Sequence, residues 1–255
     1  MEKAILGLDI GGTGIKGGVL VNGHLKDIRS IETPAEESQE YILETIASFI
    51  ESYLPHDFAG IGIGIPGLVD VKQGIILGLT NIPAFQHVEL KKFLTDRFSK
   101  PVFVNNDANC FAIGVHKYGV GKPYKNLVGI TLGTGVGGGI VINGQLYSGV
   151  NSAAGEWCNA AYLDHNYEHY CSGKFFHTHY HNRPKALAKL ALNGDQVALK
   201  AFEEYGHHLG ELIKTILYAL APEAIVLGGS IRKTYPLFKK SLHQSLSTFA
   251  YPTVL

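Results

Sequence analysis

The segment Gly12-Thr13-Gly14-Ile15-Lys16-Gly17-Gly18-Val19-Leu20-Val21-Asn22-Gly23-His24-Leu25 returns as Gly133-Thr134-Gly135-Val136-Gly137-Gly138-Gly139-Ile140-Val141-Ile142-Asn143-Gly144-Gln145-Leu146, offset by 121 residues (133 less 12). Of the 14 aligned positions, eight are identical and four exchange one aliphatic for another. Only Lys16/Gly137 and His24/Gln145 differ in kind. A period this long is not that of a solenoid. It dictates a chain holding two copies of one lobe, each opening with a strand, a glycine-rich turn and a hairpin. Two such turns facing each other across a cleft suit the phosphates of one nucleotide.

Apolar runs and turn residues supply the rest of the frame. Strands are expected at residues 3–10, 60–65, 101–104, 127–132 and 224–227, and helices at 36–54, 88–98, 107–118 and 232–248. Leu209, Leu212, Ile213, Ile216, Leu217 and Leu220 form the apolar stripe of a further helix, in a stretch that turns helical from residue 184. Asn22-Gly23 and Asn143-Gly144 are type I′ hairpin signals. Gly119, Gly121 and Pro123 cluster where the lobes would divide, giving lobes of residues 1–118 and 119–255 in an α/β protein. Lys+Arg and Asp+Glu are equal at 22 each, which argues against nucleic acid as a partner. Three cysteines without a C-x-x-C pair fit a reducing cytoplasm. Neither an 18-residue apolar stretch nor a leader is seen, since Met1-Glu2-Lys3 runs directly into a strand.

Asp9-Ile10-Gly11-Gly12-Thr13 places a carboxylate ahead of paired glycines. Backbone N–H groups there allow an anion to approach closely. Asp9 itself would repel phosphate, so its presence points to Mg²⁺ and water lying between. At the same offset the second copy has Ile130, so the acid belongs to the first turn alone. No P-loop sequence occurs. Gly133-Thr134-Gly135-Val136-Gly137-Gly138 mimics a dinucleotide fingerprint, but a hairpin follows it where that fingerprint needs a helix. In Asn105-Asn106-Asp107-Ala108-Asn109 an acid at a strand-to-helix junction is placed to accept a hydroxyl proton during phosphoryl transfer. Asp is equally common there as a helix N-cap, and the residues alone leave both roles open. Glu156 follows the second turn beside Trp157, as carboxylates of sugar sites do. Glu168 taken alone reads as a surface charge.

In chain order, Asp9-Ile10-Gly11-Gly12-Thr13, Ile63-Gly64-Ile65-Pro66-Gly67, Asn105-Asn106-Asp107-Ala108-Asn109, the glycine run 132–139, Ala154-Gly155-Glu156 and Pro222-Glu223-Ala224-Ile225-Val226-Leu227-Gly228-Gly229 resemble the ROK family (repressors, open reading frames, sugar kinases) of the actin-like ATPase superfamily. The resemblance covers residues 3 to about 235. It implies a two-lobed, duplicated, ribonuclease H-like fold with the nucleotide and sugar in a cleft between lobes. It further implies an ATP- and Mg²⁺-dependent kinase acting on a hexose hydroxyl, usually O6. On that basis Asp107 is the catalytic base. Gly67, Asn81 (in Thr80-Asn81-Ile82-Pro83), Asn106, Glu156, Asn159 and Glu168 meet the sugar. Glu168 is included because it stands four residues before Ser172-Gly173. Gly11, Gly12 and Thr13, with Gly133, Thr134, Gly135, Gly137 and Gly138, hold ATP phosphates; Gly228 and Gly229 face adenosine. A cytoplasmic homodimer without nucleic-acid or membrane partners is the implied setting.

Three departures qualify the resemblance. Family members commonly carry a structural zinc, bound by a His and a cysteine loop. Here Asn159 takes the place of that His and the loop is missing, so no such zinc site is expected. Gly14 stands where many members have Lys. Members also continue beyond the point matching Leu255 into a final strand and helix, so the chain is expected to be short there. Substrates in play are glucose, mannose, fructose, allose and the N-acetylamino sugars, including N-acetylmannosamine and N-acetylglucosamine, and a phosphate donor other than ATP stays open. A sugar-responsive repressor would need a helix-turn-helix ahead of Asp9, where only eight residues stand. A catalytically weak sugar-binding paralogue is the other alternative. His165, His169, His177, His179 and His181 invite a metal reading; the alternation of the last three would align them on one face of a strand.

Overall fold

The computed structural model describes residues 3–79 and 81–254, so Met1, Glu2, Thr80 and Leu255 of the expectations above lie outside the described residues. The chain forms two compact units, residues 1–110 with 148–154, and residues 111–147 with 155–255.

In the first unit, β1 (Ile5–Ile10) pairs antiparallel with β2 (Gly14–Val21), and β2 with β3 (His24–Glu32). After α1 (Gln39–Glu51), β4 (Ile61–Ile65) joins the other edge of β1 in parallel. A small hairpin, β5 (Leu68–Asp70) and β6 (Ile75–Gly78), and α2 (Leu90–Phe98) precede β7 (Val102–Asn106), which extends the sheet in parallel. The sheet order is β3-β2-β1-β4-β7. α3 (Asp107–Tyr118) follows β7 without a gap, and from Phe111 onward it belongs to the second unit. α1 forms because Ile42, Ile46, Phe49 and Ile50 recur at helical spacing and all are buried, while Ser38 accepts the N–H of Tyr41 as its N-cap. Each such apolar side chain removed from water contributes about 1.5–3 kcal/mol.

The second unit repeats the plan. β8 (Leu127–Leu132), β9 (Val136–Ile142) and β10 (Gln145–Tyr147) form the meander. The two-stranded ladder β11 (Ala161–Tyr162) and β12 (His165–Asn166) comes next, then helices α4 (Tyr167–Cys171), α5 (Gly173–Tyr180), α6 (Pro184–Leu192) and α7 (Gln196–Leu220). β13 (Ala224–Gly228) joins β8 in parallel, as β4 joins β1, and α8 (Tyr235–Leu246) packs on α7. The order is β10-β9-β8-β13. Each unit has its own apolar core, around Ile10, Ile46 and Phe58 in the first and around Phe176, Phe202 and Tyr205 in the second.

Pairing register corrects one expectation. Ile10 faces Ile15 across four turn residues, whereas Leu132 faces Val136 across three. The second turn is one residue shorter, so β8 aligns with β1 at an offset of 122 while β9 aligns with β2 at 121. The counterpart of Asp9 is therefore Thr131, not Ile130, and Gly7 falls on Gly129. The acid still belongs to the first turn alone. A second correction concerns the histidines. His177 and His179 lie on α5 and His181 is its left-handed C-cap, so the three do not share a strand face. Both Asn-Gly pairs adopt the positive φ values of their hairpin turns.

Candidate active site

In the first unit, the residues singled out above collect at the carboxyl ends of the parallel strands β1, β4 and β7. Asp9, Gly64 and Asn105 sit in one row across those strands. Asp9 is exposed, one residue before the end of β1, and the turn after it closes with a bond from Gly11 N–H to the Gly14 carbonyl (2.9 Å). A Cβ on Gly12 would lie 2.6 Å from Cβ of Asn81, which puts the first turn in contact with the expected sugar ligand. Asn106 is buried and decides the helix start: its Oδ1 accepts the N–H groups of Ala108 (2.9 Å) and Asn109 (3.1 Å), and its Nδ2 donates to the Gly67 carbonyl (3.1 Å). The cap of α3 is therefore Asn106, and Asp107 is the first helical residue, half-buried, with Oδ1 accepting the Ala108 N–H (2.8 Å). The open choice between cap and acid is resolved as far as the cap goes.

Ser152 of this unit escaped the sequence reading. Asn105 Oδ1 accepts from Asn106 N–H, Asn109 Nδ2 and Ser152 Oγ, and Ser152, fully buried, also donates to the Val69 carbonyl (3.2 Å). Asn105 was visible as part of its motif, but nothing local marks Ser152, which lies 47 residues away. Cys110 packs over Gly64, and burial pushes its thiol up to about 11, with Asp107 and Asp9 adding to the shift.

In the second unit, the turn at residues 133–135 and the pair Gly228-Gly229 are likewise neighbours at the carboxyl ends of parallel strands. A Cβ on Gly229 would lie 2.2 Å from the Leu132 carbonyl oxygen. Thr134 is exposed, while Gly133, Gly135, Gly137 and Gly138 are half-buried. Gly138 faces Gly155, whose φ is +95° and whose Cβ position lies 2.2 Å from the Gly138 carbonyl oxygen; neither tolerates a side chain. That close approach, with Trp157 also against Gly138, sets the backbone that presents Glu156. Its Oε2 accepts from Asn159 Nδ2 (2.9 Å) and Cys158 Sγ (3.5 Å). Burial, then Glu156 and Glu168, pushes the Cys158 thiol up to about 12. Glu168, on α4, reaches the second turn: its Oε2 accepts the Val136 N–H (3.4 Å) and its Oε1 pairs with Lys174. Among the described residues no group of three or more His, Cys, Asp and Glu side chains is placed to hold a metal ion, and no helix is long and apolar enough to cross a membrane.

A strand end with an acid, a glycine turn beside it and an acid at a helix start form the kind of constellation that binds a polyanion and moves a proton. The chain is similar in sequence and structure to known proteins. The glucokinase of Halalkalibacterium halodurans is 31% identical over 291 residues, covering 99% of this chain and 88% of that one. The xylose repressor of Bacillus spizizenii is 29% identical, covering 97% of this chain and 69% of that one. The crystal structure of a ROK family glucokinase from Streptomyces griseus in complex with glucose and AMPPNP superposes with a TM-score of 0.83 at 27% identity, covering 96% and 89% of the two chains. The ROK family pattern matches residues 5–254, so the chain belongs to the ROK family and has the duplicated, actin-like α/β fold of its sugar kinases.

Proposed function

We propose that this protein is an ATP-dependent sugar kinase that transfers the γ-phosphate of ATP to a hexose hydroxyl, O6 in the leading reading. The observation that carries it is the Asn106 cap, which fixes the start of α3 and with it Asp107, directly after β7, the strand whose Asn105 lies in one row with Gly64 and Asp9. In this reading residues 1–118 supply the base and the first phosphate turn, and residues 119–255 the second turn, the adenosine contacts at Gly228-Gly229 and the carboxylates Glu156 and Glu168. Asp107 accepts the proton of the attacking hydroxyl as the new O–P bond forms and the bond to the ADP oxygen breaks. Gly67, Asn81, Asn106, Glu156, Asn159 and Glu168 orient the sugar; residues 11–13 and 133–138 hold phosphate oxygens through backbone N–H groups. Asp9 is exposed and offers the oxygen donors Mg²⁺ takes alongside phosphates and water, so the residues present fit that ion. Mg²⁺ bound with ATP neutralises phosphate charge. The setting is a cytoplasmic homodimer.

The test is ADP release, measured by a coupled assay, over a panel of glucose, mannose, fructose, allose, N-acetylglucosamine and N-acetylmannosamine. Sugar-dependent ADP release is expected with one of them. A second reading, a sugar-binding protein with little turnover, is favoured by the likeness to a xylose repressor. It predicts sugar binding without ADP release in the same panel.

A further inference from the structure

Glu168 does not stand apart from the glycine turn. Three contacts fasten the α4–α5 corner to it. Gly173 N–H donates to the Gly133 carbonyl (2.8 Å), Val136 N–H donates to Glu168 Oε2 (3.4 Å), and that same oxygen lies 2.6 Å from where a Cβ on Gly135 would be. A residue with a Cβ at position 135 would push the Glu168 carboxylate off the turn. The other oxygen, Oε1, is held by Lys174, the second residue of α5, whose own N–H is accepted by Ser172 Oγ (3.1 Å). Lys174 has a side chain 54% exposed and Glu168 25%. An ion pair this open contributes little to stability. Its consequence is geometric: with one oxygen on Lys174 and the other on the turn, the carboxylate has a single orientation.

We infer that Lys174 is a positioning residue that clamps Glu168 against the second glycine turn, so that sugar and nucleotide binding are coupled through this one carboxylate. The coupling rests on the kinase reading above; the clamp does not. An anion drawn to the N–H groups of the turn competes with Glu168 Oε2 for them. A phosphate seated there displaces the carboxylate from Val136 while Lys174 retains it, which changes what Glu168 offers to a sugar hydroxyl. By linkage the effect is reciprocal: a sugar that engages Glu168 vacates the turn for phosphate.

The experiment compares wild type with Lys174→Met, which keeps the length of the side chain and removes its charge, and Lys174→Arg, which restores the charge. Amide hydrogen exchange over residues 132–138 without ligand reads the clamp. Lys174→Met should exchange faster there than wild type, and Lys174→Arg should not. Trp157, the single tryptophan of the chain, packs on Gly138 and reports binding by its fluorescence. In wild type, a non-hydrolysable ATP analogue is expected to tighten sugar binding by about fivefold or more, the usual scale of coupling between two sites. In Lys174→Met that ratio falls to about one, with the sugar KM raised more than kcat is lowered, and Lys174→Arg recovers it. Unchanged exchange in Lys174→Met overturns the clamp, and an unchanged coupling ratio in that variant overturns the role in coupling. Wild type that binds neither sugar nor nucleotide sinks the kinase reading and the coupling with it, while exchange still decides the clamp.

Discussion

The Asn106 side chain makes two bonds to the start of α3 and one to Gly67, and among the described residues its second amide N–H is left over for a ligand. Its neighbour Asp107 is consequently relieved of the capping role. Asp107→Asn is expected to abolish sugar phosphorylation while leaving ATP binding nearly unchanged, measured by turnover and by nucleotide titration; equal turnover would sink its role as base. Asn106→Ala should destabilise the fold by about 1 kcal/mol, the usual value of a lost N-cap, and reduce kcat, whereas Asn106→Asp keeps the cap. The two cysteines that sense the acids make a chemical prediction. With thiols at about 11 for Cys110 and about 12 for Cys158, almost no thiolate exists at pH 8. Iodoacetamide at that pH should leave both unmodified in the native protein and alkylate both after unfolding, as mass spectrometry would show. Asp9, Asp107 and Glu156 could be singled out because motifs mark them. Ser152 and Lys174 could not, since their partners, Asn105 and Glu168, are chosen by folding.

At the level of elements, α3 and β8 fell where periodicity placed them, because Gly, Asn and Asp punctuate their ends. The hairpin β5–β6 was missed: two strands of three and four residues leave no period to detect. α4 and α5 were missed as well, since their faces are aromatic and histidine-rich rather than aliphatic. What holds them is ring packing. His169 of α4 stacks on His165 of β12 (centroids 4.2 Å) and meets His179 of α5 edge-on (5.5 Å); Tyr170 lies against His179 and His208 of α7. Around His169 stand His165, His179, Lys174 and Asp164; around His208 stand His207, His179, Glu204 and Glu211, with Tyr162 hydrogen-bonded to its Nδ1. Burial lowers both imidazoles, His208 to about 4. A histidine depressed in the folded state gives stability that is complete above its unfolded value of about 6.5 and is lost as pH falls toward the folded value. Melting temperature should therefore drop by about 3–6 °C between pH 7 and pH 5, and His208→Gln should flatten that slope. An unchanged slope would show that other groups carry the acid sensitivity.

For the whole molecule, the internal repeat foretold most. Two meanders closed by a parallel fourth strand, β4 in one unit and β13 in the other, follow from the duplicated strand, turn and hairpin. What the repeat could not foretell is the segment 148–154, which belongs with the first unit although it follows the second meander. Balanced charge gives the last prediction: at physiological salt the protein should pass through a DNA column unretained, and salt-dependent retention would reopen the repressor reading.

The missing residue in the second turn has a consequence for how the two halves were able to diverge. Side chains alternate faces along a strand, so a deletion inside β1 or β8 would turn a core inside out. A deletion within the turn leaves both incoming and outgoing strands in phase, as the pairs Ile10/Ile15 and Leu132/Val136, all buried, attest. The turns are thus a part of the duplicated unit whose length can vary without reversing a core face. After duplication, each half could acquire its own anion geometry by changing the number of backbone N–H groups in a loop, with no compensating change in either core.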